Sequence, residues 1–265
     1  MRHFIAIISI TLFFLSSCKK DSDPLYNPAV KADLSVEFDN IAGSSDLALN
    51  TGSYTNSSGE VFTVTKLKYY VSNFVLTNTN GTVYTVPQDS SYFLIDESNE
   101  ATHEVELHLP EGEYKTLQFI VGVDSLRSTK SSSERTGVLD PSTTAADMYW
   151  NENEGYVFFN VEGTSSASTT ADKSFQYHIG GYGGSTSATF NNLKTVTLDL
   201  TQRGVAQVKS GRHSDVHLMA DVLKFFDGNT QISIAAHPVV MFDDFSVTIA
   251  DNFNGMFRHD HTHND

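Results

Sequence analysis

The sequence predicts an all-β protein, mainly an antiparallel β-sandwich with short helical turns. Apolar residues recur at every second position in five separate stretches, which is the pattern of strands with one buried face. These stretches are residues 34–38, 105–109, 117–123, 157–161 and 196–200. Turn-forming pairs such as Asn80-Gly81 and Asp227-Gly228 separate them, and little helical periodicity is sustained. This organisation favours strands joined by hairpins.

Two later segments fit the strand pattern less well. Residues 214–226 are compatible with a strand or a short helix, and residues 251–257 with a single helical turn. Serine- and threonine-rich runs at 128–136, 164–174 and 185–189 are predicted to be exposed loops.

The N-terminus predicts export. A positive charge at Arg2 precedes a short apolar run, and small residues lead into Cys18, the only cysteine of the chain. The apolar run is shorter than the about 20 residues that span a bilayer. We therefore interpret residues 1–17 as the signal peptide of a bacterial lipoprotein, with Cys18 acylated. A plain secreted protein with an isolated cysteine is the alternative.

The rest of the chain is predicted to be a tether followed by one domain. Residues 18–32 are polar and contain two prolines, and residues 33–265 carry the strand pattern. The predicted location is the bacterial cell envelope, as an outer-membrane lipoprotein on the periplasmic side or the cell surface. Its membrane partner would be reached through the lipid on Cys18.

Composition narrows the function classes. The 265 residues include 32 acids and 17 Lys+Arg, for a formal charge of −15. This balance argues against nucleic-acid binding, because neutralising phosphates requires a basic face. It favours cation capture, although an acidic solvated surface is the commoner explanation. No nucleophile motif or phosphate-binding glycine loop is present, so we expect no enzymatic activity.

The order of motifs in the middle of the chain is distinctive. The motifs are Lys66-Leu-Lys-Tyr-Tyr-Val-Ser-Asn73, Gly112-Glu-Tyr114, Met148-Tyr-Trp150, Gly155-Tyr-Val-Phe158 and Phe175-Gln-Tyr-His-Ile-Gly180. This series resembles the copper-binding MbnP-like family, many members of which are Bacteroidetes-type lipoproteins. The resemblance covers roughly residues 33–265 and is most specific over 112–180.

The resemblance implies copper as the cofactor. In the family, histidine holds copper together with a kynurenine that a dihaem peroxidase-like partner enzyme makes from tryptophan. Trp150 is the only tryptophan here, so a kynurenine would have to form at that position. Relatives often carry a second tryptophan just after the first, where this chain has Asn151-Glu-Asn153. Whether Trp150 corresponds to the modified residue therefore stays open.

The C-terminus holds the densest set of metal-ligating side chains. His259, His261 and His263 occupy every second position, and Met256 precedes them. In an extended strand, alternate side chains share a face and start about 6.6 Å apart. Imidazole suits copper, nickel and zinc, and a thioether favours Cu(I). The alternative is a mobile tail whose histidines bind metal only adventitiously.

His178 is the candidate ligand from the middle of the chain. It precedes a glycine-rich stretch that permits close backbone approach, and we predict that it meets His261 or His263. The further members of this predicted site are Met256, Met148 and Trp150. A hydrogen-bonded structural role is the alternative for His178, and burial in the core is the alternative for the methionines and the tryptophan.

His213 and His217 are four residues apart and share a face in either a helix or a strand, and Asp215 joins them only in a strand. We interpret this pair as exposed polar positions on a half-buried strand.

These observations predict a lipid-anchored protein that binds a transition metal, copper above all, and stores or delivers it. The rival prediction is a surface lipoprotein without metal that binds glycan or protein through exposed aromatic residues. A third possibility is a branch of the family that keeps the scaffold and has lost the ion.

Overall fold

A computed structural model of the protein describes residues 26–265. The predicted signal peptide, Cys18 and most of the tether lie outside the described residues. The strands are β1 (Lys31–Ala42), β2 (Ser45–Asp46), β3 (Tyr54–Thr55), β4 (Val61–Asn78), β5 (Val83–Thr85), β6 (Tyr92–Asp96), β7 (Glu104–Pro110), β8 (Gly112–Val121), β9 (Tyr149–Asn151), β10 (Gly155–Ser165), β11 (Ser174–Gly180), β12 (Lys194–Asp199), β13 (Ala206–Val208), β14 (Ser214–Asp221), β15 (Val239–Val240) and β16 (Phe257–Asn264). The α-helices are α1 (Ser125–Ser128), α2 (Val222–Phe226), α3 (Phe245–Ala250) and α4 (Phe253–Met256). Short 3-10 helices cover Gln88–Ser90, Glu100–Thr102, Ser132–Glu134 and Gly137–Leu139. Within residues 26–265, no helix has the length and apolar character needed to cross a membrane.

Two sheets pack against each other. The first sheet has the order β16-β14-β1-β2, with β7 also paired to β1. The second has the order β12-β8-β4-β10-β11-β15, and the short strands β3, β5, β6, β9 and β13 pair with its long strands. All pairings are antiparallel except β1 with β14 and β11 with β15. The predicted all-β, mainly antiparallel sandwich with short helical turns is confirmed.

The two segments with an ambiguous sequence pattern, 214–226 and 251–257, form the kinds of element that their sequences allowed. Residues 214–226 form both a strand and a helix, because Asp221 ends β14 and caps α2. Its carboxylate accepts a hydrogen bond from the backbone N–H of Leu223 at 3.0 Å. Residues 251–257 contain the single turn α4. β1 begins at Lys31, two residues before the predicted start of the domain.

Aromatic side chains fill the space between the sheets. Phe38 of β1 meets Phe119 of β8 edge to face, with ring centroids 5.6 Å apart. Phe159 of β10 stacks on Tyr69 of β4 at 5.2 Å. All four side chains are buried, so each sheet has an inner face in this core and an outer face turned away from it.

Glu60 ties the start of β4 to a distant loop. Its carboxylate accepts hydrogen bonds from the backbone N–H groups of Ile234 (2.7 Å) and Ala235 (2.9 Å) and from the side-chain amide of Asn56 (2.7 Å). Burial acts to raise the pKa of Glu60, but these hydrogen bonds outweigh it and hold the pKa below its usual range.

The Glu60→Gln variant is expected to lose about 1–3 kcal/mol of unfolding free energy at about pH 7, because charge-assisted hydrogen bonds are lost. A carboxyl with a depressed folded pKa stabilises the protein above its ordinary pKa, and this contribution disappears as the pH falls through the folded value. Urea unfolding of both proteins at about pH 7 and about pH 3 measures the effect. A difference between the two proteins that stays constant with pH would contradict it.

Candidate metal centre

The C-terminal histidines lie on an ordered strand at the edge of the first sheet. Phe257, at the start of β16, packs against Phe119 with ring centroids 5.3 Å apart. At the other end, the backbone of Asp265 exchanges hydrogen bonds with that of His213. Residues 257–264 are therefore a strand held at both ends, which differs from the mobile tail that the sequence left open.

A β-bulge divides these histidines between two faces. β16 pairs His259 with Leu218 and His261 with His217 on β14, so Asp260 is an extra residue in the ladder. Residues paired directly across two strands share a face. His259 consequently turns inward beside buried Leu218, whereas His261 and His263 lie on the outer face. The predicted common face for all three histidines is wrong, because strict alternation fails at a bulge.

His259 is held in the interior. It is 9% exposed, and its Nε2 lies 2.9 Å from the hydroxyl of Thr262. Its Nδ1 is buried and finds no hydrogen-bond partner among residues 26–265. Burial lowers the pKa of His259 and favours the neutral ring. The structure therefore separates His259 from the other two C-terminal histidines.

On the outer face, His217, His261 and His263 form what we call the histidine cluster. One ring nitrogen from each lies within 4.8 Å of the others. His261 Nε2 and His263 Nε2 are 3.0 Å apart, and the ring of His217 stacks on that of His261 at 4.2 Å. Two nitrogens that each bind one ion at about 2.0 Å stand about 3 Å apart. The spacing suits a shared ion, as it also suits an N–H···N hydrogen bond.

Asp260, the bulge residue, orients His261. The carboxylate Oδ2 of Asp260 lies 2.8 Å from His261 Nδ1. This hydrogen bond holds the pKa of Asp260 below its usual range, so the carboxylate is ionised. When His261 is neutral and donates Nδ1–H to Asp260, its Nε2 lone pair is free for a metal. Such a carboxylate–histidine pair is a common second layer around bound metals.

Two further carboxylates flank His217. Glu37 Oε2 lies 2.7 Å from Nδ1, and Asp215 Oδ2 lies 2.8 Å from Nε2. These three residues form a second set of possible ligand atoms within 4.8 Å of one another. The other oxygen of Asp215, Oδ1, is buried and has no hydrogen-bond partner in the described part of the chain. One imidazole and two carboxylates at this spacing are a donor set that fits a metal ion.

Sequence reasoning missed His217 as a member of the site. The alternation of Asp215 and His217 indicated a shared face in a strand, which was the available signal. The sequence did not indicate that β14 lies between β1 and β16. The parallel pairing of β1 with β14 aligns Glu37 with His217, and the antiparallel pairing with β16 adds His261.

His178 lies on the other sheet. Its neighbours Tyr177 and Ile179 on β11 are buried between the sheets, so His178 points to the outer face of the second sheet. There its Nε2 lies 2.9 Å from Glu162 Oε1, which also pairs with Lys66 at 3.0 Å. The core separates His178 from the histidine cluster, and the predicted meeting with His261 or His263 is not formed.

The two predicted methionines are in apolar cores. Met256 is 1% exposed and belongs to the main core, and Met148 is fully buried in a smaller cluster on the outer face of the second sheet. The structure therefore provides neither Met256 nor Met148 as a thioether ligand to the histidine cluster.

Trp150 is half-buried on the same outer face as His178. Its ring covers Gly180, where an added Cβ would lie 2.8 Å from the indole, and it meets Phe242 edge to face at 5.1 Å. Glycine at position 180 therefore makes the close approach of the indole possible. A kynurenine derived from Trp150 would lie across the sandwich from the histidine cluster.

The fold and the cluster describe a β-sandwich with a surface site of imidazoles and carboxylates. The family model of MbnP matches residues 31–242, and the chain belongs to the MbnP family. This family is associated with copper binding. β16 lies beyond the matched residues, so His261 and His263 are outside the part of the chain that the family model matches.

A solved structure is also similar. MbnP from Methylosinus trichosporium superposes with a TM-score of 0.54 at 16% sequence identity, covering 81% of this chain and 82% of that chain. At this identity the likeness shows the fold. No curated protein matches the chain.

Proposed function

We propose that this protein binds copper at the histidine cluster, in the bacterial cell envelope, and stores or delivers the ion rather than catalysing a reaction. The observation that carries the proposal is the 3.0 Å approach of His261 Nε2 to His263 Nε2, with His217 beside them. Attachment through a lipid on Cys18 is part of the proposal and rests on the N-terminal sequence.

The donor set favours Cu(II) over Cu(I). Imidazole nitrogens and carboxylate oxygens surround the cluster, and Met256 is buried in the core. Softer thioether and thiolate ligands are the ones that select Cu(I). Zinc prefers similar nitrogen and oxygen donors, so the affinities of the site for zinc and for copper should be compared in a competition experiment.

Exposure of the site suits transfer of the ion. His263 is exposed on the outer face of an edge strand, and a transferring partner can reach it without unfolding the core. The net charge of −15 raises the local concentration of cations near the surface. Both features support uptake and release, the properties that storage or delivery requires.

The His263→Ala variant is expected to lose stoichiometric copper, because it removes one of the two facing nitrogens from an exposed position that the core does not need. His178→Ala is the matched control, since it removes a half-buried histidine of the opposite sheet. The measurement is copper content by mass spectrometry after dialysis of tag-free protein. Loss of copper in His178→Ala with retention in His263→Ala would contradict the proposed site.

The Asp260→Asn variant is expected to bind copper about 10- to 100-fold more weakly. The substitution keeps the size of the side chain but removes the charge that fixes the tautomer of His261. Competition with a chelator of known affinity measures the change. An affinity equal to that of the wild type would show that His261 does not depend on this carboxylate.

A modified Trp150 would belong to a different site. We retain as a proposal that a dihaem peroxidase-like partner converts Trp150 to kynurenine, on the basis of family membership. Intact-mass measurement of protein from its native source tests this directly, and an unmodified tryptophan would remove it while leaving the histidine cluster unaffected.

A further inference from the structure

Three separate segments, all distant in sequence from the histidine cluster, form a pocket. The segment that precedes β1, the β4–β5 hairpin and the β7–β8 turn enclose a cavity of about 490 Å³. This volume is within the range of pockets that hold small ligands. The aromatic part of its lining is Tyr26, Tyr84 and Tyr114. We propose that this pocket binds a neutral carbohydrate.

The walls of this pocket are flat, apolar tyrosine rings, and hydrogen bonds hold two of these rings in place. A tyrosine ring offers an apolar face together with a polar tip, which suits the C–H face of a sugar ring. The hydroxyl of Tyr114 donates to the carbonyl of Pro110 at 2.7 Å, and that of Tyr84 accepts from Lys31 Nζ at 2.8 Å. Val83 adds an apolar side chain that is 59% exposed. These contacts hold two of the rings before a ligand arrives, which lowers the cost of binding.

The hairpin turn supplies oriented hydrogen-bond donors. Asn78 Oδ1 accepts from the backbone N–H of Asn80 at 3.1 Å, and Asn80 Oδ1 accepts from that of Thr82 at 2.8 Å. Both amide oxygens are therefore engaged within the turn. Asn78 and Asn80 both line the pocket. Their Nδ2 groups donate no hydrogen bond to another residue within the described part of the chain. Their orientation is set by the turn, and they remain available to a ligand.

Charge and chemistry favour a neutral sugar. Glu113 lines the same pocket and offers an acceptor beside the amide donors. A sugar hydroxyl both donates and accepts, so neighbouring amide and carboxylate groups match it. Among the described residues that line the pocket, none is lysine or arginine. Phosphorylated or uronic sugars would bring a further negative charge beside the carboxylates of Glu111 and Glu113. The two nearby ammonium groups are already placed against the tyrosines, Lys31 on the hydroxyl of Tyr84 and Lys209 over the ring of Tyr26.

The test is a titration of the protein with sugars, monitored by saturation-transfer NMR and by calorimetry. The probes are neutral trisaccharides of glucose, mannose and N-acetylglucosamine, with glucose 6-phosphate as the anionic comparison. We expect at least one neutral trisaccharide to bind with a Kd in the millimolar range or below, and glucose 6-phosphate to bind more weakly. No detectable binding of any neutral trisaccharide would overturn the proposal.

Substitutions then locate the binding. The Asn78→Asp/Asn80→Asp variant keeps both turn-forming oxygens and replaces the donors with acceptors, so we expect about a tenfold or greater loss of affinity. Asn191→Asp is the matched control, because Asn191 Oδ1 likewise accepts from a backbone N–H two residues ahead, that of Leu193, outside the pocket.

Further controls separate the proposed sugar site from the proposed copper site. His263→Ala should bind the sugar like the wild type, which separates this site from the proposed copper site. Circular dichroism confirms that each variant is folded. Sugar binding that survives the Asn78→Asp/Asn80→Asp substitutions, or displacement of pocket resonances by a peptide and by no sugar, would overturn the assignment.

Discussion

Saturating copper is expected to raise the thermal unfolding midpoint of the wild-type protein and to leave that of the His261→Ala/His263→Ala variant unchanged. A ligand that binds only the folded state stabilises it by about 4 kcal/mol at a thousandfold excess over its Kd. For a chain of this size, each kcal/mol shifts the midpoint by about 2–4 °C. The expected shift is therefore about 8–16 °C, measured by calorimetry with and without copper.

The double variant removes both facing nitrogens while leaving the strand in place. β16 is held by Phe257 in the core and by the backbone pair of Asp265 with His213, so the copper-free midpoints of the two proteins should be close. His213→Ala is the control, because it removes a nearby histidine that is not in the cluster. An equal copper shift in the wild type and the double variant would place the ion elsewhere.

The Phe159→Ala variant is expected to lose about 3–5 kcal/mol of unfolding free energy. Phe159 is fully buried in the second sheet. Its ring stacks at 5.2 Å on Tyr69, at 5.3 Å on Phe225 of α2 and at 5.1 Å on Phe253 of α4. Truncation removes contacts with both helices as well as with the neighbouring strand, and the surrounding rings cannot close the space fully.

Urea unfolding of the wild type, Phe159→Ala and Leu126→Ala measures this effect. Leu126 is 66% exposed, so its replacement should change the free energy by no more than about 0.5 kcal/mol. A loss below about 1 kcal/mol in Phe159→Ala would mean that the core collapses around the missing ring.

Phe159 also connects the core to the proposed copper site. α4, which contains Phe253, leads directly into β16 at Phe257. Loosening α4 would free the start of the strand that carries His261 and His263. We therefore expect Phe159→Ala to weaken copper binding less than His263→Ala does, since it acts only through the position of the strand.

The sequence was sufficient to predict the class of fold. Alternation in stretches such as 105–109 and 117–123 depends on one buried and one more exposed face, a local property of each strand. The stretch 157–161 differs, because it is buried on both faces. The segment 214–226 stayed ambiguous because its first part has the pattern of a strand and its second part that of a helix. The structure resolves it at Asp221, where a carboxylate caps the helix.

Sequence alone determined that this chain forms sheets, carries histidines near its C-terminus and resembles the MbnP family. Only the tertiary structure decided which of the histidines meet. The bulge at Asp260 turned His259 inward, and the placement of β14 between β1 and β16 brought Glu37, His217 and His261 together. The physical reason is that strand periodicity is local, whereas register and strand neighbours are set by packing between residues far apart in the chain.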